Sequence, residues 1–159
     1  MEQLEIIETL KLLPRRLPEE LAGLPDSTLR FRPAENEFSI KEVVGHLRDA
    51  CEAWHKRLYQ VWSQTDPLFT SFDGEAMVKE RGYQDGDPLS VIAEIATIRG
   101  HTVDLLSHAV DWTRIGQQRG VGRRSLKQFA EYLVSHDNEH LNQIRELKTQ
   151  ARAAAAPGR

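Results

Sequence analysis

His136 and His140 stand four residues apart in the segment SHDNEHLNQI, residues 135–144. On a helix, that spacing puts two imidazoles on one side, one turn apart, where they can hold a single metal ion. The helix carrying them reads clearly. At ~100° per residue, Leu126, Phe129, Leu133, Ile144 and Leu147 fall on one narrow stripe, and His136 and His140 share it. Both therefore face a core, where each neutral ring brings a donor and an acceptor that need partners. A pair at this spacing also occurs on solvent-facing helices and as hydrogen-bonded core histidines, so a third ligand is the discriminating feature.

Four other histidines are available: His46, His55, His101 and His108. On the segment from Ile40, the residues Val43, Val44, Leu47, Cys51, Trp54, Leu58 and Trp62 form an apolar stripe. His46 lies at one edge of it and His55 at the other. His101 and His108 project away from the stripe of Ile92, Ile95, Val103 and Leu106 and read as surface residues. His46 is thus the better third ligand and His55 the poorer. Three histidines from two helices leave a position for water or substrate, the pattern of a catalytic metal site. HDNEH also fits the H-x-x-E-H pattern of inverted zinc proteases. Those enzymes need a further acidic ligand well downstream, whereas 19 residues follow His140. Glu139 also points about 60° away from His136, which suits a surface residue or one that hydrogen-bonds a ligand. Asp137 lies nearer the stripe and can accept a hydrogen bond from a ligand ring or form a salt bridge at the bundle edge.

These residues need long helices to position them, and the sequence supplies four. The first covers about 2–13 and stops near Pro14. Residues 14–38 read as irregular, with one helical turn at 18–22. Ser39 caps a second helix to about Gln64, with Glu42 completing a capping box. A linker follows, with a short helix at 73–80. A third long helix begins after Asp87, with Pro88 at its first position, and ends near Asp111. The segment TRIGQQRGVGRR is a loop. Ser125 and Gln128 then box the start of a helix reaching about Arg152. Strand signals are nearly absent. The expectation is an all-α four-helix bundle in one domain, 1–150, with a disordered tail at 151–159. The chain has 159 residues, and its 21 basic and 24 acidic side chains give a net charge of −3, which excludes a general nucleic-acid binder. Cys51 is the sole cysteine, so no internal disulfide forms, which suits a reducing compartment. No apolar run approaches the ~20 residues that cross a bilayer, and MEQLEIIETL lacks the features of a signal peptide. A cytoplasmic protein without membrane partners is expected.

Two segments carry a family resemblance. FSIKEVVGHLRDACEAW presents an aromatic, a helix cap and a histidine followed by Leu-x-Asp. GRRSLKQFAEYLVSHDNEHLNQI presents His-Asp-x-x-His-x-x-Gln-Ile. Together they resemble the DinB/YfiT-like family over about residues 30–148. The resemblance implies a four-helix bundle of that type and a divalent metal, zinc or nickel foremost, held by His46, His136 and His140. It implies no single activity. Some members resemble thiol S-transferases using bacillithiol or mycothiol, and others are described as metal-dependent hydrolases. The family name refers to DNA-damage induction.

The first expectation is a metal-dependent thiol S-transferase acting on small electrophiles. A metal-bound thiol becomes the thiolate nucleophile without a protein base, and no convincing base is in view. Asp49 is one turn from His46 but angles away from the stripe; Asp137 and Glu139 are no stronger. The alternatives are a hydrolase using metal-bound water and a non-catalytic metal-binding stress-response protein that is a homodimer with structural metal. Arg99 falls in the apolar stripe of its helix, as a buried salt bridge or snorkelling side chain, or as a cation holding the carboxylate of a thiol cofactor near the metal. Cys51 reads as a small core residue. Trp54, Trp62 and Phe129 read as core that can also line a pocket.

Overall fold

Pro14 starts a helix rather than ending one. A computed structural model describes residues 1–157. In it α1 (Gln3–Leu10) is followed, after a two-residue turn, by α2 (Leu13–Leu21). Pro14 lies in the first turn of α2, where its missing N–H costs nothing. Pro18 sits inside α2, yet the helix runs on, because Leu13, Leu17 and Leu21 at four-residue spacing are all buried. Burying each contributes about 1.5–3 kcal/mol, enough to offset an interior proline at roughly 3 kcal/mol. The stretch expected to be irregular therefore holds α2 and the short α3 (Asp26–Arg30).

The other long helices lie where the caps put them. α4 spans Ile40–Ser63, with the Ser39–Glu42 box formed in both directions. α5 spans Gly74–Arg81 and ends on Gly82 at φ 65°. α6 spans Pro88–His108, three residues short of the expected end, with Asp87 capping it. α7 spans Leu126–Ala155, capped by the Ser125–Gln128 box. Its end corrects the expected tail: residues 151–155 are helical and Ala151 is buried, while 158–159 lie outside the described residues. The loop before α7 is also corrected. Ile115–Gln118 (β1) and Gly122–Ser125 (β2) pair antiparallel, Ile115 opposite Ser125. No hydrophobic alternation announced this hairpin. It forms because Gly120 (φ 78°) and Gly122 (φ 103°) allow the turn, and because the segment before α5 bonds to it, Gln117 N–H to Pro67 O at 2.7 Å and Phe69 N–H to Gln117 O at 2.9 Å.

α4 packs along both α6 and α7, and α1 and α2 close the far side against the same two helices, completing an all-α four-helix bundle. Its apolar interior is in two halves. One gathers Ile6, Leu10, Trp54, Leu58, Phe69 and Phe129; the other gathers Leu13, Leu17, Val43, Leu47, Ile95 and Ile144. On α7 the first half uses residues 126–134 and the second 141–147, so His136, Asp137 and His140 fall in the gap. No helix is long and apolar enough to cross a membrane among the described residues.

Candidate metal centre

The gap between the two apolar halves is where α4 and α7 bring three imidazoles together. His46 Nε2 lies 3.3 Å from His136 Nε2, which lies 3.1 Å from His140 Nε2. One ligand nitrogen from each falls within 4.8 Å of the others, and no other such group of metal-capable side chains occurs among the described residues. Three nitrogens bound to a tetrahedral ion at ~2.0–2.1 Å would sit about 3.3–3.4 Å apart, so the spacing fits a small divalent cation. It fits mutual hydrogen bonding poorly. His140 Nδ1 faces Gln143 Oε1 at 2.8 Å and donates to it, which leaves the His140 Nε2 lone pair turned inward. His136 Nε2 faces two nitrogens at once and can share a proton with only one of them.

The rings are electrostatically prepared for a cation. Burial, with the neighbouring His140, pulls the His46 pKa down to about 4. Burial, then His140, His46 and Arg99, pulls His136 down to about 3. Both are neutral at pH 7 and present lone pairs. Their Nδ1 atoms are buried without hydrogen-bond partners, so packing orients these two rings. A Cβ on Gly74 would lie 2.8 Å from both Cε1 and Nδ1 of His46, so α5 rests directly on that ring. Tyr83 lies flush on Gly45, where a Cβ would come within 2.1 Å of its ring, and its hydroxyl donates to Asp49 Oδ1 at 2.7 Å. The 64–87 connection is thereby pinned to α4 beside the site.

The other expected site residues go elsewhere. Arg99 is 1% exposed and grips Asp137 with both arms, Nη1 to Oδ2 at 2.6 Å and Nη2 to Oδ1 at 2.9 Å. It also donates to Leu10 O at 2.9 Å and Cys51 Sγ at 3.3 Å. Of the two roles open to Arg99, the structure presents the buried salt bridge, tying α6, α7 and α1. Asp137 bonds none of the three rings. Asp49 is buried with Tyr83, Arg48 and Arg81, and Glu139 is exposed. His55 Nδ1 lies 3.0 Å from Thr102 Oγ1, away from the triad, and His101 and His108 are exposed as expected. Trp54 and Phe129 are buried, but Trp62 is 40% exposed beside Tyr59, which corrects its placement in the core.

Two clefts meet at the triad, and both were invisible in the sequence. One, of about 390 Å³, is lined by His46, His140, Gln143, Glu37, Glu75 and Glu146. The other, of about 410 Å³, is lined by His46 and His136 together with Trp54, Arg57, Arg119 and Tyr132. One is acidic and the other basic and aromatic. The Gln143 contact did have a signal, the Gln three residues after His140. Nothing local marked Glu75 or Arg57, because both reach the site from other elements.

The family model described as DinB superfamily matches residues 9–144. A solved structure, YfiT from Bacillus subtilis, described as a probable metal-dependent hydrolase with an unusual four-helix bundle topology, is similar in fold at TM-score 0.87. The identity is 20%, over 94% of this chain and 87% of that one. No curated protein matches the chain.

Proposed function

The chain belongs to the DinB superfamily, and from that premise we propose that it is a divalent-metal-dependent enzyme held together at His46, His136 and His140. Its reaction is transfer of a small thiol to an electrophile. The observation that carries the reading is the convergence of three Nε2 atoms, at 3.1 and 3.3 Å, where two clefts of opposite character meet. Two clefts suit two reactants. The chemistry that a bound divalent ion supplies is charge, favouring the thiolate form of a thiol or, in hydrolysis, the deprotonated form of water.

The chain's own residues hold the ligands still and keep them neutral. Gln143 fixes the tautomer of His140, Gly74 backs His46, and burial keeps His46 and His136 unprotonated. Asp137 is committed to Arg99 and Asp49 to Tyr83, Arg48 and Arg81, while Glu139 is exposed on the outer face of α7. Thiol activation needs no protein base, which favours it. The hydrolytic alternative draws on Glu75, which lines the cleft beside His46 and His140, and on the description of YfiT.

The test compares both reactions in one preparation. Protein purified without a metal-affinity column is analysed for metal, then loaded with zinc or nickel. It is incubated with bacillithiol, mycothiol, glutathione or cysteine plus chlorobimane, and in parallel with ester and amide substrates. Conjugation that disappears in His136→Ala supports the transferase. Conjugation no faster than that of the variant for every thiol refutes it, and hydrolysis lost in the same variant would put the second reading first. Metal should be lost from the His46→Ala, His136→Ala and His140→Ala proteins and retained by His101→Ala and His108→Ala.

A further inference from the structure

Among the described residues six charged side chains are buried: Lys41, Glu42, Asp49, Arg57, Arg99 and Asp137. Five of them have an opposite charge. Lys41 pairs with Asp26, Glu42 with Arg32, Asp49 with Arg48 and Arg81, and Arg99 with Asp137. Arg57 is the exception among the described residues. It is 9% exposed, and its one protein acceptor is the Thr70 main-chain oxygen, 2.9 Å from Nη2. Burial pulls its pKa down, and no carboxylate acts on it. A desolvated cation without a counter-charge is costly, and a fold that has paired every other buried charge has left this one open.

The surroundings of Arg57 indicate what completes it. Its guanidinium lies against the rings of Trp54 (4.8 Å) and Phe69 (5.3 Å). Stacking uses the face of the guanidinium and leaves the edge of its fork available. Arg57 lines two clefts. The one away from the triad is bordered by Asp49 and Glu52, both already paired, Asp49 with Arg48 and Arg81 and Glu52 with Arg48 and Lys56. The one at the triad holds no carboxylate, and its walls include Trp54, Phe69, Phe72 and Tyr132 beside His46 and His136. Its volume, about 410 Å³, suits a small molecule.

We propose that Arg57 receives a carboxylate on the substrate, whose apolar or aromatic body lies along Trp54, Phe69, Phe72 and Tyr132 with its reactive end at His46 and His136. The planar fork matches a carboxylate in two parallel hydrogen bonds. Arg119 also lines this cleft but is exposed and solvated, so the one buried cation balances one negative charge, whereas a phosphate monoester brings about 1.5–2. The placement of the reactive end rests on the metal-dependent reading above; the carboxylate subsite is measured without it.

Calorimetric titration of the chelator-treated and the zinc-loaded full chain with phenylacetate, phenylacetamide and phenyl phosphate tests the proposal, with zinc content measured on the same samples. Phenylacetate should bind the metal-free protein at least about ten-fold more tightly than phenylacetamide, the scale of a hydrogen bond to a charged group. Arg57→Gln should remove that preference, and Arg57→Lys, which keeps the charge and loses the fork, should keep part of it. Melting curves of both variants show that they are folded, and the amide comparison on the unaltered chain needs no variant. Equal binding of acid and amide, affinity for phenylacetate unchanged in Arg57→Gln, or tighter Arg57-dependent binding of phenyl phosphate would each overturn it. A chain that binds phenylacetate through Arg57 but holds no zinc would refute the metal-dependent reading and leave the subsite standing.

Discussion

Replacing Asp137 with Asn changes a charge and almost no volume, so it isolates the electrostatic role of a residue next to a candidate ligand. In the folded chain Asp137 accepts two hydrogen bonds from Arg99, at 2.6 and 2.9 Å, and both residues are buried. The variant leaves Arg99 with Leu10 O, Cys51 Sγ and one amide oxygen, sets an NH2 group against its other arm, and removes the counter-charge. Breaking such a pair from one side costs about 3–5 kcal/mol. For a domain of this size each kcal/mol lowers the melting temperature by roughly 2–4 °C, so Asp137→Asn should melt about 6–20 °C lower. Urea unfolding of the chelator-treated protein, followed by helix circular dichroism, should show a lower midpoint at unchanged slope. Replacing both partners, Arg99→Met with Asp137→Leu, should recover most of the loss, because the stranded charge is then gone. Since Asp137 bonds none of the three imidazoles, the single variant should still bind zinc when kept cold. A loss below about 1 kcal/mol, the range of an exposed pair, would refute the buried ion pair. A double variant worse than the single would refute the stranded-charge reasoning.

Three further outcomes follow from individual contacts. Gly74→Ala puts a methyl 2.8 Å from the His46 ring, so zinc affinity should fall about ten-fold or more while stability holds, since alanine favours the α5 helix; unchanged affinity in a zinc titration would show that His46 is not backed there. Gln143→Leu removes the acceptor of His140 Nδ1 and should weaken zinc by roughly 10–100-fold, read by competition with a chromophoric chelator. Burial alone would raise the Glu42 pKa, but hydrogen bonds from Arg32 and Ser39 outweigh it and hold the carboxyl below its ordinary 4.5. A carboxylate depressed in the fold stabilises fully above the unfolded value and loses that contribution as pH falls through the folded one. Glu42→Gln should therefore be less stable than the parent at pH 7, and the gap should narrow below about pH 4.5; a gap constant with pH would contradict the pairing.

Local features of the chain are what its sequence determined. The Ser39–Glu42 and Ser125–Gln128 boxes and the Asp87–Pro88 start depend on neighbours within three residues, and the helices begin where those signals stand. The faces of His46, His136 and His140 follow from helical period alone, which is why three imidazoles from two helices could be placed on facing stripes before any packing was known. Pro18 and the hairpin depart from local expectation for the same physical reason: local preference is weak beside burial and long-range pairing. Leucines at 13, 17 and 21 carry a helix through Pro18, and a hairpin of glutamines and arginines exists because the 67–69 strand of chain bonds to it. Arg99 shows the limit most clearly. Period told that it is buried, but its carboxylate lies 38 residues away on another helix, and only packing selects that partner. Arg57 and the two clefts belong to the same class. A cavity is the space between elements, and an unpaired charge is a statement about every side chain that could have reached it. Neither has a signature in a one-dimensional chain, so the tertiary structure alone decided where the clefts meet the histidines.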